Sequence, residues 1–239
     1  MSRRMMERQE VNSVCEGHPR DMVCLNCQAA FLCAPVLLGI KPSNLLIIDT
    51  RNLPAACRLL QDTRVSIRVL HGSFREGRGE KKGKMVLFVY RRELMEPVLR
   101  DREAVEFLQS LGYPELEDAD AGEASQAQRE QYLNRILARL QKRYAGYMEK
   151  RLPFPHELGV LLGYPLADVK GFMEHNGEKF LYSGYWKVYA NAEEAKRTFQ
   201  LYDLVRKGLS ELTGRGMEIG EAVRRWEDTD WRETLQAAG

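Results

Sequence analysis

Apolar and polar positions follow two rhythms along this chain, and the change falls near its middle. Leu45-Leu46-Ile47-Ile48, entered through Pro42-Ser43-Asn44, is a short apolar run that predicts a strand. Val65-Ser66-Ile67-Arg68-Val69 alternates apolar with polar, the pattern of a half-buried strand. Met85-Val86-Leu87-Phe88-Val89-Tyr90 is continuously apolar and β-rich, which predicts a buried central strand. Pro54 opens a short helix through Leu60. After the third strand, Leu94, Val98, Val105, Leu108 and Leu111 share one helical face, with Pro97 tolerable only in a first turn.

Beyond residue 125 the helical period dominates. Ser125 and Gln128 form a capping box before a stripe of Leu133, Ile136, Leu137, Leu140, Tyr144 and Met148. Pro155 suits the first position of a helix, which puts His156 and Glu157 in its first turn; Pro165 does the same for Asp168. Ser183-Gly184, between two aromatic runs, predicts a hairpin with a two-residue turn. Asn191 caps a further helix, with Glu194 at N3; its face is Ala195, Phe199, Tyr202, Val205, Leu209 and Leu212, and Gly214 ends it. A last helix carries Ile219, Val223 and Trp226. Leu111-Gly112-Tyr113-Pro114 recurs as Leu162-Gly163-Tyr164-Pro165, and each copy reads as a helix stop.

These elements predict an α/β to α+β protein: a small N-terminal sheet with covering helices, then a helical C-terminal half with one aromatic β-hairpin. The divisions are an N-terminal extension with a cysteine cluster (1–29), an α/β subdomain (30–117), an acidic linker (118–125), a helical subdomain with the hairpin (126–214) and a helical tail (215–239).

With 239 residues, 44% apolar and a net charge of +2, the chain is long enough and apolar enough to fold without disulfide staples. No run of about 18 apolar residues suggests a membrane helix. The charged start, Met1 to Arg8, leads into no apolar run, so the cytoplasm is the expected location. Charge is balanced overall but blocked locally: residues 63–102 are net +6, 103–125 net −7 and 126–152 net +5. Such blocks can pair within the fold or between copies. The basic stretch 75–84 tempts a phosphate-loop reading, but its glycine spacing is wrong and Met85 stands where Ser or Thr is needed. It reads as a solvated hairpin loop.

Four of the five cysteines, Cys15, Cys24, Cys27 and Cys33, lie within nineteen residues, and Cys24 and Cys27 make a C-x-x-C pair. Thiolates so spaced can grip one metal, with His18 adding a nitrogen. The alternative is that Cys27 and Cys33 are small buried hydrophobes.

Residues 152–189 carry the densest signal. Phe154-Pro155-His156-Glu157, Leu162-Gly163-Tyr164-Pro165, Asp168-Val169-Lys170-Gly171-Phe172 and Gly184-Tyr185-Trp186-Lys187-Val188-Tyr189 resemble the signature of domain-of-unknown-function family 3793. Upstream, Cys33-Ala34-Pro35, Gly39-Ile40-Lys41-Pro42, Asn44-Leu45 and Tyr90-Arg91 resemble it too. The resemblance spans roughly residues 30–207 and implies an anaerobic Gram-positive source but no reaction. In that family a His commonly precedes Cys-Ala-Pro, where this chain has Leu32. The loop 75–84 and the tail after Gly208 look like local additions.

These motifs supply the candidate site residues. Cys33 and His156 are a candidate thiolate–imidazole pair, with Glu157 beside them. Lys41 and Arg91 suit a phosphate or carboxylate, and Tyr90 and Asp168 add polar reach. Hence the first expectation is a cytoplasmic protein that binds a small molecule or cofactor, whether or not it is an enzyme. The second is nucleic-acid binding through a helix-turn-helix-like segment (157–176) and an aromatic hairpin (180–189) whose Tyr182, Tyr185 and Trp186 stack bases. Asp168, Lys170, Glu174 and His175 are a poor set for reading base edges, which argues against it. The third is an interaction module docking a partner or a second copy through its charge blocks.

Overall fold

The computed structural model describes residues 25–75, 82–115 and 125–229. Helix α1 (Leu25–Leu37) leads into strand β1 (Ser43–Asp49). A short turn then leads to α2 (Leu53–Leu60), which Pro54 opens as expected. Strands β2 (Ser66–Arg75) and β3 (Lys82–Tyr90) complete a sheet of order β1-β3-β2, antiparallel throughout. The fold is therefore α+β.

β3 is central, and its alternation settles what covers each face. Met85, Leu87 and Val89 point to one side with Leu46 and Ile48, where they meet α1, α2 and two C-terminal helices, α8 (Ala192–Gly214) and α9 (Ile219–Glu227). Val86, Phe88 and Tyr90 point to the other side with Leu70. There they meet α3 (Arg92–Arg100), α4 (Arg102–Ser110), α5 (Gln126–Met148) and α6 (Leu158–Leu161). A strand buried on both faces needs an unbroken apolar run, and that is the pattern of 85–90. Both layers draw residues from either side of the acidic linker, so the two halves read from the sequence share one packed sheet.

Several expectations change in detail. The helix expected over 94–111 is two helices, because Asp101 leaves the helical region and caps α4 by accepting from Ala104 N at 2.9 Å. That break resets the phase, so the buried residues are Met95, Leu99, Ala104 and Leu108, while Pro97 is the sixth residue of α3. The chain turns at Pro155 before α6 starts at Leu158. Asn191 precedes α8 in a left-handed conformation (φ 50°) and makes no side-chain cap. The hairpin pairs β4 (Tyr182–Ser183) with β5 (Lys187–Val188), so its loop has three residues, Gly184 to Trp186. The capping box at Ser125 forms as expected.

The repeated Leu-Gly-Tyr-Pro is a repeated helix stop. At each copy the glycine is left-handed (Gly112 φ 76°, Gly163 φ 78°). Its N–H donates to Gln109 O or Val160 O, and the next residue's N–H donates to Leu108 O or Gly159 O. Gly39 ends α1 in the same way, with its own N–H on Val36 O and that of Ile40 on Pro35 O. Two of these stops touch: a Cβ on Gly163 would lie 2.6 Å from the Pro42 ring. Helix α7 (Leu166–Glu174) follows the second.

Candidate functional site

Of the motif residues, Lys41, Asn44 and Arg91 meet at the C-terminal half of α1, whereas His156, Glu157 and Asp168 are held by other partners. Pro35 lies inside this helix and has no N–H, which leaves the Phe31 carbonyl without its helical donor. Arg206 of α8 takes that role: its Nε donates to Phe31 O at 3.1 Å, and its guanidinium lies 3.8 Å over the Phe31 ring. Asn44 of β1 donates to Leu32 O and accepts from Lys41 Nζ at 2.9 Å. Arg91 donates Nε to Val36 O at 2.7 Å and its fork to Leu37 O, while its own N–H reaches Pro42 O at 2.9 Å. Cations are favoured where the helix dipole ends negative, so Lys41, Arg91 and Arg206 all suit this place.

Lys41 is buried, with Nζ 5.2 Å from the Tyr164 ring and 6.0 Å from that of Tyr202. Tyr164 stacks on Trp186 at 4.9 Å, and Trp186 meets Phe199 edge-on at 4.5 Å. The Lys41-Pro42 turn thus adjoins the hairpin. Tyr185 is held between Asp203 and Arg206, each at 2.7 Å. Burial pushes its hydroxyl well above the ordinary tyrosine range.

Glu157 and Asp168 are buried acids, each fully engaged. Glu157 accepts from Tyr113 at 3.1 Å and from the Arg143 fork of α5. Burial and the nearby Glu157 charge hold the Tyr113 hydroxyl protonated. Asp168 accepts from Trp186 Nε1 at 2.6 Å and from the backbone N–H groups of Tyr189 (2.7 Å) and Ala190 (2.9 Å), so it fastens the hairpin to α7. Tyr90 lies on the α5 side, its ring 5.7 Å from Phe88.

Cys33 does not suit the nucleophile role expected for it. It is fully buried, and burial pushes its thiol up to about 12 against the opposing pull of Lys41. A thiolate nucleophile needs the opposite shift. His156 sits instead between Phe154 (5.3 Å) and Phe172 (5.5 Å). Of the expected metal ligands, Cys15 and Cys24 lie outside the described residues, and Cys27 and Cys33 are buried six residues apart on α1. Among the described residues no group of three or more His, Cys, Asp or Glu side chains is placed to hold a metal.

The helix-turn-helix reading meets a one-turn α6 and an α7 whose Asp168 and Val169 turn inward. Much of the +5 block pairs internally: Arg129 with Glu96, Arg143 with Glu157 and Arg151 with Glu149. A groove of about 430 Å³ lies between α3 and α5, with Met95, Leu99 and Tyr132 in its wall and Arg92, Arg100 and Arg129 among its charged residues. Arg92 pairs there with Glu130, and both Arg100 and Arg129 pair with Glu96.

The feature that the sequence reading passed over is apolar and on the surface. Large side chains 37–65% exposed cluster at the end of α5 and the turn after it: Tyr147, Met148, Leu152 and Phe154. The cluster continues through Met173 of α7 to Phe180, Leu181 and Tyr182, with Leu181 the most open. Ring contacts join its parts. Tyr147 meets Phe154 edge-on at 5.1 Å, Phe154 meets His156, and His156 meets Phe172. Lys187 then lies over both Phe172 (5.9 Å) and Phe180 (4.7 Å). The signal for it in the sequence is the density of apolar residues in 152–154 and 180–182 without a helical period.

Among the described residues no helix is long and apolar enough to cross a membrane. No curated protein and no solved structure matches the chain. One family model matches, over residues 30–223, and its reach to 223 places the start of α9 inside the family rather than in a local tail. By that match, which covers most of its length, the chain belongs to the family described as "Protein of unknown function (DUF3793)".

Proposed function

We propose that the protein is a cytoplasmic interaction module whose aromatic strip, running from Tyr147 to Tyr182, docks another protein. The strip carries this reading: among the described residues, eight of the nine most exposed large hydrophobic side chains fall in it, against one elsewhere, Ile47. Isolated apolar side chains on a surface are ordinary, whereas a contiguous patch marks a contact site. Its composition, rich in Tyr, Phe and Met, is that of interface cores. The rings also favour a protein over bases. Base stacking needs open faces, and here Tyr147, Phe154 and His156 lean edge-on against one another while Trp186 is covered by Tyr164. The thiols of Cys33 and Cys57, outside any disulfide among the described residues, suit a reducing compartment.

The test is a photo-crosslinking residue placed in the full chain at Leu181, at Phe154 and, as a control, at the exposed Glu211 of α8. The same protein adduct from Leu181 and Phe154, absent from Glu211, supports the reading. No adduct from either strip position, or adducts with nucleic acid alone, overturns it.

A second reading, small-molecule binding, is favoured by the groove between α3 and α5, whose volume is within the usual range for ligand sites. Native mass spectrometry of the isolated protein tests it. A co-purifying small molecule that is lost when Glu96→Trp fills the groove supports this reading. A bare chain, or a molecule retained by the variant, counts against it.

A further inference from the structure

Resting on the docking reading above, we infer that the partner seated on the strip is a second copy of this chain, related by a two-fold axis. Two observations select this occupant. The first is area. An open aromatic side chain presents about 150–250 Å², so eight large side chains roughly two-fifths exposed leave on the order of 600 Å² uncovered. A stable interface covers about 800 Å² on each partner, which the strip reaches once its immediate rim is included. A short peptide would leave much of it wet.

The second observation is charge. The rim holds both signs in close alternation: Glu149, Lys150 and Arg151 at one end, Lys170 and Glu174 along α7, Glu178 and Lys179 beyond it. A surface built for an oppositely charged partner carries one sign, because complementary potentials steer the encounter. A rim of mixed sign is complementary to its own copy, since a two-fold axis can set each base against the other copy's acid. Near the centre burial holds the His156 imidazole below its ordinary value, and the one cation there, Lys187, is already engaged by Gly177 O and the Phe172 and Phe180 rings. Two strips can therefore meet without stranding that charge.

Sedimentation velocity of the full chain from about 1 to about 100 µM tests this. The expected result is a monomer–dimer equilibrium in that range. Leu181→Glu, which sets like charges across the axis, weakens it by about tenfold or more. Ile47→Glu, on an exposed apolar residue outside the strip, leaves it unchanged. The mixed rim predicts only a shallow dependence on salt. A monomer at every concentration overturns the second copy but not the docking surface, whose partner the crosslinking at Leu181 would then identify as another protein. A dimer insensitive to Leu181→Glu overturns the inference, as does one that dissolves steeply in salt, since that points to the charge blocks at 103–125 and 126–152.

Discussion

Around the stop of α1, side chains from β1, α8 and the end of β3 donate to the carbonyls of Phe31, Leu32, Val36 and Leu37. Along the strip, residues of the same general size remain more than a third exposed, joined by contacts such as Tyr147 with Phe154. Both regions lie within the family match and both are rich in aromatics. They differ in what their polar groups do. At this site Arg206, Asn44 and Arg91 answer demands made by the backbone, chiefly the missing N–H of Pro35 and the open end of the helix, while Lys41 holds Asn44. On the strip the open part of each large apolar side chain buries nothing in the fold, and exposing it has no folding benefit. A motif residue is thus as readily a structural answer as a ligand contact, and the residues with no structural duty are the better pointers to binding.

The difference breaks most visibly at Glu157. Replacing it by Ala leaves the buried Tyr113 hydroxyl and the half-buried Arg143 guanidinium without their acceptor, and should lower unfolding free energy by about 3 kcal/mol. Urea denaturation checks this, and a loss below about 1 kcal/mol would show that the acid is not needed for the frame. Arg91→Lys comes next. An ammonium cannot reproduce the fork that serves both Val36 O and Leu37 O, so about 2 kcal/mol should be lost although the charge is kept. A neutral outcome would free Arg91 for the ligand role that its motif suggested.

His156 belongs to the strip and sharpens the comparison through pH. Burial lowers its pKa from the ordinary 6.5, with Glu157 opposing. The unfolded chain therefore takes up the proton more readily than the native one. Stability from this group is fully present above pH 6.5 and declines as pH falls through the lower native value. His156→Gln should flatten the difference in unfolding free energy between about pH 7.5 and about pH 5, by well under 1 kcal/mol because the ring is partly solvated. An unchanged profile assigns the pH dependence to other groups.

Local physics made much of the frame legible. The run 85–90 marked the central strand, the Leu-Gly-Tyr-Pro echo marked two helix stops, and Ser125 with Gln128 marked the start of α5. Each of these depends on contacts within a few residues or on a strict period. The candidate site was legible only in part. The Lys41-Pro42 turn does meet the 162–165 motif, yet the partners that occupy Arg91, Glu157 and Asp168 come mostly from 14 to 55 positions away. Arg206 lies 175 positions from the carbonyl it serves. Proline inside a helix announces that a donor is needed; it does not say which part of the chain supplies it. The strip escaped notice because exposure is a property of packing, and a Phe or Leu reads the same whether covered or open.

The most direct test of the division between frame and surface is equilibrium unfolding of Phe180→Ser/Leu181→Ser beside the unaltered chain, each at dilute and at high concentration. The account predicts that dilute samples agree within about 0.5 kcal/mol, as surface changes do. At high concentration only the unaltered chain should gain stability, by mass action on its dimer. A loss above about 2 kcal/mol in the dilute variant would contradict the account, because it would make the strip part of the core rather than a surface kept open for a partner.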